Sequence, residues 1–204
     1  MQRILLSALT VILGSIIAQP AHALFDVRLT YGLLASKPDL GRMYTGLVDQ
    51  PSLTPTHGLG ADIIVSPPLF PIGFGLRYED MGVDASTDNA QFKAKYTRTA
   101  ALVNYRLFDT LLYIGPIFSL GLSHAGDITV HQAGVETSKF TSDKMSSYTI
   151  GLEGGAKLIG LRVGAEVGYE DFRWADAKDS HGTAATQDIN MSGYYSKITV
   201  GFGL

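Results

Sequence analysis

The sequence feature that most constrains the fold is a strict alternation of apolar and polar residues in separate segments. In the segment FDVRLTYGL, residues 25–33, every odd position is apolar or aromatic, and every even position is polar or glycine. Side chains of a β-strand point alternately to opposite faces, so this pattern predicts a strand with one apolar and one polar face. The same pattern recurs, giving eight predicted strands, in residues 58–66, 72–79, 97–107, 111–123, 147–158, 161–170 and 194–204.

A helix is the alternative for residues 161–170, because Arg162, Glu166 and Glu170 are spaced four apart and would share one helix face. That helix would scatter the apolar residues around its circumference. It would also place Gly164 and Gly168 in its interior, at a cost of about 1 kcal/mol each relative to alanine. The segment is therefore interpreted as a strand.

Residues 1–23 have the composition of a secretory signal peptide. Arg3 supplies a positive charge, residues 4–18 form an apolar run, and Ala21-His22-Ala23 matches an A-x-A cleavage site. The run is shorter than the roughly 20 residues that a membrane-spanning helix needs. We expect this segment to be removed on export, leaving a single domain over residues 24–204.

The connections between the predicted strands alternate in length. Short connections fall at residues 67–71, 108–110 and 159–160. Long polar connections fall at residues 35–56, 81–95, 124–146 and 171–192. Tight turns at one end and long loops at the other are typical of outer-membrane β-barrels.

The apolar face carries aromatic residues at both ends, with aliphatic residues between them. Two such belts fit the two interfaces of a bilayer better than the core of a soluble, lipocalin-like barrel, which is the alternative. The polar face is rich in glycine, which makes room inside a narrow barrel but would only weaken an exposed sheet. The predicted aromatic girdle comprises Tyr31, Tyr78, Tyr105, Tyr148, Tyr169, Tyr194 and Phe202. Tyr105 and Phe202, together with Phe25, lie at the end opposite the long loops, and the other members lie at the long-loop end.

These patterns predict an all-β fold, a closed eight-stranded antiparallel, up-and-down transmembrane β-barrel, whose polar face lines the interior. An unpaired charge buried there would cost several kcal/mol, so the near balance of acids and bases predicts a salt-bridge network. The network either plugs the barrel or lines a narrow polar path. Its predicted members are Asp26, Arg28, Asp62, Arg77, Glu79, Arg98, Arg106, Glu153, Lys157, Arg162, Glu166, Glu170 and Lys197.

The mature chain resembles the small eight-stranded outer-membrane barrels of Gram-negative bacteria, the protein A, X and W types. Its last residues, 195–204, resemble the C-terminal strand that the barrel-assembly machinery reads, although Leu204 stands where such barrels commonly end in Phe. The resemblance implies insertion into the cell outer membrane by that machinery. It also implies contact with outer-membrane lipid and lipopolysaccharide.

Composition excludes several kinds of chemistry. The chain has no Cys, which rules out disulfides, thiolate nucleophiles and cysteine-bound metals, and its net charge of -3 gives no reason to expect nucleic-acid binding. Loop histidines could join a serine and a carboxylate in a triad, but Ser123-His124 reverses the His-x-Ser motif of outer-membrane deacylases. His124, Asp127 and His131 match no defined metal site. We therefore expect no enzyme activity, no cofactor and no metal; the candidate histidines are His57, His124, His131 and His181.

Three local features lead to further expectations. Residues 127–140 alternate around Gly134 and predict a hairpin that protrudes beyond the membrane. Trp174 in the last loop is placed at the lipid headgroups, with packing inside the loop as the alternative. Pro116 lies within a predicted strand and removes a ladder donor, which predicts a bulge or a gap in pairing. The expected function is structural or surface-binding toward an unknown extracellular ligand, with a narrow channel and a lipid A-modifying enzyme as alternatives.

Overall fold

A computed structural model describes residues 25–36, 52–54, 56–67, 70–86, 90–132, 135–158, 160–179 and 188–203. All regular secondary structure in these ranges is β-strand. No helix long and apolar enough to cross a membrane occurs in them. The predicted signal peptide, His181 and Leu204 lie outside these ranges, and the side chain of His57 is likewise not described.

Eight long antiparallel strands form one closed barrel, as predicted. Each strand pairs with the next in sequence, and β8 pairs with β1 from Asp26–Gly203 to Ser36–Gly193, which closes the sheet. The strands are β1 (Phe25–Ser36), β2 (Thr56–Val65), β3 (Ile72–Ser86), β4 (Ala90–Tyr105), β5 (Leu112–Gln132), β6 (Lys144–Leu158), β7 (Leu161–Ala175) and β8 (Gly193–Gly203). The shorter strands are Ser52–Thr54, Phe108–Asp109, Val135–Thr141, Lys178–Asp179 and Ile189–Asn190.

The short connections lie where the sequence predicts them. One is the β6–β7 turn, in which Gly160 has a φ of 84°. Side chains with a Cβ rarely adopt this left-handed conformation, so glycine suits the turn. All three short connections lie at one end of the barrel, which we call the lower end. The end with the long loops is the upper end.

The prediction of a long loop at residues 81–95 is wrong. Strands β3 and β4 continue through most of it and pair from Met81–Tyr96 up to Ser86–Gln91. Apolar and polar residues still alternate there, but the apolar side chains point inward and the polar ones outward, the reverse of the membrane-spanning part. Because of this reversal, the sequence pattern was not interpreted as a continuation of the two strands. The predicted protruding hairpin is confirmed, because the upper part of β5 pairs with Val135–Thr141.

Strand β5 contains a bulge that changes the direction of its side chains. Thr99 pairs with Ser123 and Ala100 with Gly121, which leaves Leu122 as an extra residue. Leu122 and Ser123 are both exposed, so the inward positions shift from odd to even numbers above the bulge. His124 points inward as a result.

A second irregularity lies at Pro116, as predicted. On the β4 side, pairing stops at Asn104–Ile117 and resumes at Phe108–Ile114. Residues 105–107 therefore lie opposite only two residues of β5. The ring of Pro116, which has no N–H, lies in this pairing gap.

The outer surface of the barrel is apolar. Leu29, Leu59 and Ile198 point outward and are 68, 68 and 60% exposed. Tyr169 is half-buried because its ring meets that of Tyr194 edge-on, with 5.6 Å between the centroids. The other residues of the proposed girdle are exposed on this surface: Tyr31, Tyr78, Tyr105, Tyr148, Tyr194 and Phe202.

Candidate functional site

The centre of the barrel interior is occupied by the guanidinium group of Arg77. Its Nε and Nη2 donate to the two carboxylate oxygens of Asp62 at 2.8 and 2.9 Å. Its Nη1 and Nη2 donate to the two carboxylate oxygens of Glu166 at 2.9 and 2.7 Å. Asp62 is on the neighbouring strand β2, whereas Glu166 is on β7, directly across the barrel. The side chains of Arg77 and Glu166 thus span the lumen.

Toward β1 and β6 the ion pairs continue without a break. Arg28 donates to Asp62 at 3.0 Å and to Glu153 through its other terminal nitrogen. The side-chain amide of Asn104 also donates to Glu153. Asp62 is therefore shared by Arg28 and Arg77, which keeps both guanidinium groups compensated although neither is exposed to solvent.

Toward the upper end, Glu79 and Glu170 lie on either side of Arg98. Arg98 Nε donates to Glu79 at 2.8 Å, and its Nη1 lies 2.6 Å from Glu170. The ammonium of Lys197 lies against Glu79 and 3.9 Å from Glu166, which joins this group to the central one.

A separate cluster lies at the lower end of the barrel. Asp26 accepts from Arg106 at 3.2 Å and from Arg162 at 2.6 Å. Asp109 pairs with Arg106 at 3.3 Å and with Lys157. The sequence analysis missed Asp109, because both Leu107 and Phe108 point outward and the alternation from Arg106 fails in the turn.

The interior holds all the charged side chains that the sequence analysis assigned to it. Each is buried except Lys157, whose side chain is 20% exposed. With Asp109 included, acids and bases are equal in number. The charges compensate one another across strands, and the array occupies the lumen from its lower end to the level of Glu170.

Above the charges, the interior is apolar. Tyr96 and Phe172 have ring centroids 4.6 Å apart, and Phe172 lies 5.8 Å from Trp174. This upper cluster comprises Leu34, Met81, Phe92, Ala94, Tyr96, Ile128, Val130, Phe140, Phe172, Trp174, Ala177, Ile189, Met191 and Tyr195. Tyr195 forms its lower boundary with the charges, because its hydroxyl donates to Glu166 at 2.7 Å. Several residues of the cluster follow the inward positions of the membrane-spanning strands at intervals of two, and the sequence pattern could have identified them on that basis.

The placement of Trp174 at the lipid headgroups is wrong. Its side chain is fully buried in the upper cluster. Strand β7 continues to Ala175, so Trp174 keeps the inward direction of Glu170 and Phe172. An inward indole at this height packs with other side chains and cannot reach the bilayer.

His124 lies at the boundary between the charged and apolar parts. Its Nε2 is 2.8 Å from the hydroxyl of Ser147, and its ring stacks on Phe172 at 5.6 Å between centroids. Burial, and secondarily the charge of Arg98, lower the pKa of His124, which favours the neutral ring. Arg98 also donates to the Ser147 hydroxyl at 3.2 Å.

The geometry assembles neither a catalytic triad nor a metal site from the described side chains. No carboxylate within the described ranges is hydrogen-bonded to the ring of His124. Asp127 and His131 are at outward positions of β5, on the face opposite to His124. Within the same ranges, no three His, Cys, Asp or Glu side chains lie close enough to hold a metal ion.

The fold and its two surfaces define the class of protein. A closed barrel satisfies the backbone hydrogen bonds of its strands internally, which a membrane-spanning segment requires. An aliphatic outer band between aromatic belts, with charges inside, is the construction of outer-membrane β-barrels. The chain is a small eight-stranded barrel of this class.

Solved structures of outer-membrane proteins share this fold. A major outer membrane protein of Thermus thermophilus is 9% identical, with a TM-score of 0.53 and coverage of 88% of this chain and 99% of that one. OprG of Pseudomonas aeruginosa is 15% identical, with a TM-score of 0.50 and coverage of 90 and 97%. The outer membrane protease OmpT of Escherichia coli is 7% identical, with a TM-score of 0.51 and coverage of 90 and 95%.

These identities are low, so the likeness concerns the fold alone. No protein-family model and no curated protein sequence matches the chain. The apolar band and the shared fold together support an outer-membrane location for the barrel. The sequence-based resemblance to small outer-membrane barrels is confirmed at the level of the fold.

Proposed function

We propose that the protein is a closed barrel that conducts no solutes and displays its upper strands at the cell surface, in a structural or surface-binding role. The observation that carries this proposal is the contact between Arg77 and Glu166 across the lumen. Both side chains are fully buried, and their four-atom contact occupies the position where a central path would run. Moving them apart would leave Arg77 with Asp62 as its charged partner and Glu166 with only the more distant Lys197, at 3.9 Å, which is costly for buried charges.

The upper cluster supports the same proposal independently. Phe172 and Trp174 are fully buried, and they point into the lumen from β7 above the charges. An ion leaving the charged part would have to cross this apolar layer without water, which is an electrostatic barrier. Two layers of different chemistry thus obstruct the same path.

Conductance in a planar bilayer tests the proposal. We expect the purified protein to give no sustained current steps, in contrast to a porin measured in the same bilayer. Sustained, ion-selective steps would overturn the closed-barrel proposal and assign the alternative, a narrow channel. In that case Glu166→Gln should change the ion selectivity, because it removes a charge from the centre of the lumen.

The surface-binding part of the proposal rests on the protruding hairpin. The upper part of β5 pairs there with Val135–Thr141, and Phe140 and Thr141 pair in turn with Lys178–Asp179. These pairs extend the sheet above the charged part of the barrel and expose outward side chains such as Lys139 and Thr141 to a partner. Deleting residues 130–137 and joining the strands by a short turn should abolish binding to any surface partner while leaving the barrel folded.

We also propose that the protein has no catalytic activity on outer-membrane lipids. Among the described residues, Ser147 contacts the ring of His124, yet it is only 5% exposed and its hydroxyl points into the packed interior. Mass spectrometry of lipid A from cells with and without the protein tests this. We expect identical profiles, and loss or transfer of an acyl chain in the presence of the protein would contradict it.

A further inference from the structure

The ladder between β5 and β6 is interrupted in the upper wall of the barrel. Pairing between these strands ends at Leu120–Tyr148. Pairing on the same edge of β5 resumes at Asp127–Thr141. Residues 121–126 therefore face residues 142–147 with no ladder pair between them, although β4 pairs with the first segment and β7 with most of the second. We call this interruption the seam.

The height of the seam follows from the last pair below it. Leu120 and Tyr148 are 50 and 41% exposed on the outer surface, and Tyr148 is in the upper aromatic belt. Backbone groups without a ladder partner are too costly to leave in hydrocarbon. The seam therefore lies above the hydrocarbon, where water can reach it.

Two glycines of β5 allow interior side chains to pack directly against the seam. A Cβ at Gly126 would lie 2.9 Å from Cη2 of Trp174, and a Cβ at Gly121 would lie 2.4 Å from both His124 Nε2 and Ser147 Oγ. Phe172 stacks on the imidazole of His124 from inside. Neither Phe172 nor Trp174 is exposed to solvent. The seam thus covers two aromatic rings of the upper cluster.

A hydrogen bond between side chains crosses the seam. His124 Nε2 on β5 lies 2.8 Å from the hydroxyl oxygen of Ser147 on β6. Arg98 Nη1 donates to the same oxygen at 3.2 Å. Because this oxygen already accepts from Arg98, the hydroxyl can direct its own hydrogen to Nε2, which accepts it when the imidazole is neutral.

The closest charge that faces the imidazole comes from β4. Arg98 is the direct ladder partner of His124. Its guanidinium donates to Glu79 of β3 at 2.8 Å and to Glu170 of β7 at 2.6 Å. Both carboxylates are therefore engaged by Arg98, and neither is hydrogen-bonded to the imidazole.

The other elements around His124 present no charge toward it from the described residues. Strand β4 also contributes the buried phenol of Tyr96, and β7 contributes Phe172. Asp127 on the same strand is at an outward position. On β6, Lys144 is exposed and paired with Asp176.

Protonation of His124 reverses the hydrogen bond across the seam. Nε2 becomes a donor, so the oxygen of Ser147 would face two cationic donors while the hydrogen of its hydroxyl loses its acceptor. The imidazolium would also lie beside Arg98, a like charge. Burial and Arg98 lower the pKa of His124, so the neutral ring and the intact contact belong to neutral pH.

We propose that the contact between His124 and Ser147 is an acid-sensitive latch, and that protonation of the imidazole separates β5 from β6 at the seam and admits water to Phe172 and Trp174. The opening is local, because the ladders that flank the seam do not involve His124. Below it β5 and β6 stay paired from Leu112–Ala156 to Leu120–Tyr148, and above it β5 stays paired with Val135–Thr141.

Quenching of Trp174 by acrylamide, a neutral quencher, tests the proposal, because this residue is the single tryptophan of the chain. The mature barrel in lipid vesicles is titrated from pH 7.5 to about pH 4.5. We expect the quenching constant to rise at least threefold and reversibly, with a midpoint below the ordinary histidine value of about 6.5. An unchanged constant would overturn the proposal, and so would loss of the heat-modifiable folded form over the same range.

Two single variants assign the response to one histidine. His124→Gln keeps a side chain that can hydrogen-bond but does not titrate, and it should abolish the rise in quenching. His131→Gln removes the histidine at an outward position of the same strand and should leave the rise unchanged. A full response in His124→Gln, or a lost response in His131→Gln, would contradict the assignment.

A cross-link tests whether the opening occurs at the seam. Ser123 and Ser146 are exposed on its two sides, and the chain has no Cys. In the double variant Ser123→Cys/Ser146→Cys, a short bis-maleimide joined at neutral pH should suppress the rise, whereas the same variant without the reagent should respond like the wild type. A full response after cross-linking would overturn the proposal. None of these results depends on whether the lumen conducts.

Discussion

Arg77 and Glu166 project from opposite strands of the barrel and share two hydrogen bonds of 2.9 and 2.7 Å across its lumen. Glu166→Gln removes the charge but keeps the volume, and it leaves the guanidinium with only Asp62 as a charged partner. Breaking a buried pair in this way costs about 3–5 kcal/mol. We expect a loss of this size in the free energy of unfolding, measured by urea titration in lipid vesicles.

The matched control for this change is Asp176→Asn, which removes one partner of the exposed pair with Lys144. Solvent screens that pair, so we expect no measurable change in the urea midpoint. If Glu166→Gln behaved like the control, the interior pair would not be holding the two sides of the barrel together.

Trp174 is the single tryptophan of the chain, so intrinsic fluorescence reports on the upper cluster alone. Because the indole is fully buried inside the barrel, we expect a blue-shifted emission that neither iodide nor brominated lipids quench. A girdle position would give the opposite result with brominated lipids.

Tyr194 provides a reference position for that experiment, since its side chain is 74% exposed in the upper belt. In a Trp174→Phe background, Tyr194→Trp should be quenched strongly by brominated lipids. Strong quenching of the wild-type protein would mean that Trp174 faces the bilayer after all.

Two glycines of β3 should respond differently to alanine. A Cβ at Gly75 would lie 2.1 Å from the backbone oxygen of Ile63, which cannot move without shifting β2. At Gly82 the nearest atom would be the backbone oxygen of Ala94 at 3.4 Å, an ordinary contact.

We therefore expect Gly75→Ala to destabilise the barrel by about 1–3 kcal/mol and to lower the yield of the heat-modifiable, folded form on gels. Gly82→Ala should fold in wild-type yield. Similar yields for the two variants would show that close strand approach at Gly75 is not required.

The contact between His124 and Ser147 predicts a dependence of stability on pH. His124 lies above the membrane-spanning part, and burial and Arg98 lower its pKa below the ordinary value of about 6.5. The unfolded chain thus takes up a proton at a higher pH than the folded chain. Stability is full above about pH 6.5 and is lost as the pH falls through the lowered pKa of the folded state.

Urea midpoints at pH 7.5 and pH 5 measure this effect. We expect the wild-type protein to lose stability on acidification, and His124→Gln to lose less, since the amide does not titrate. The remaining histidines contribute equally to both proteins. Parallel losses in the two proteins would contradict the assignment to His124.

The fold was predictable from the sequence because the alternation of apolar and polar residues is strong within the membrane. Residues such as Leu29 and Arg28 differ greatly in polarity, so their strand and its two faces are evident. The charged interior followed from the same alternation. Above the membrane the polarity of the two faces is reversed: Phe92 points inward and Lys93 points outward. The alternation of apolar and polar residues there does not continue the alternation of the membrane-spanning part.

Other features have no local signature in the sequence. The bulge at Leu122 depends on how β5 pairs with β4, and it alone decides that His124 points inward. Asp109 reaches the interior only because the turn interrupts the alternation. The ladder between β5 and its neighbour on the β6 side is interrupted between the pairs Leu120–Tyr148 and Asp127–Thr141, and neither strand alone predicts this interruption. Pairing between strands, rather than composition, positions the candidate site.

The exchange of charged for apolar side chains inside the barrel occurs near the height at which the outer surface passes from lipid to water. A bilayer thicker than the aliphatic band would submerge lysines such as Lys95, and a thinner one would leave leucines such as Leu122 in water. Both cases carry a cost of hydrophobic mismatch, fractions of a kcal/mol per Å. The barrel is therefore matched to one membrane thickness, and membranes of different thickness should retain it unequally.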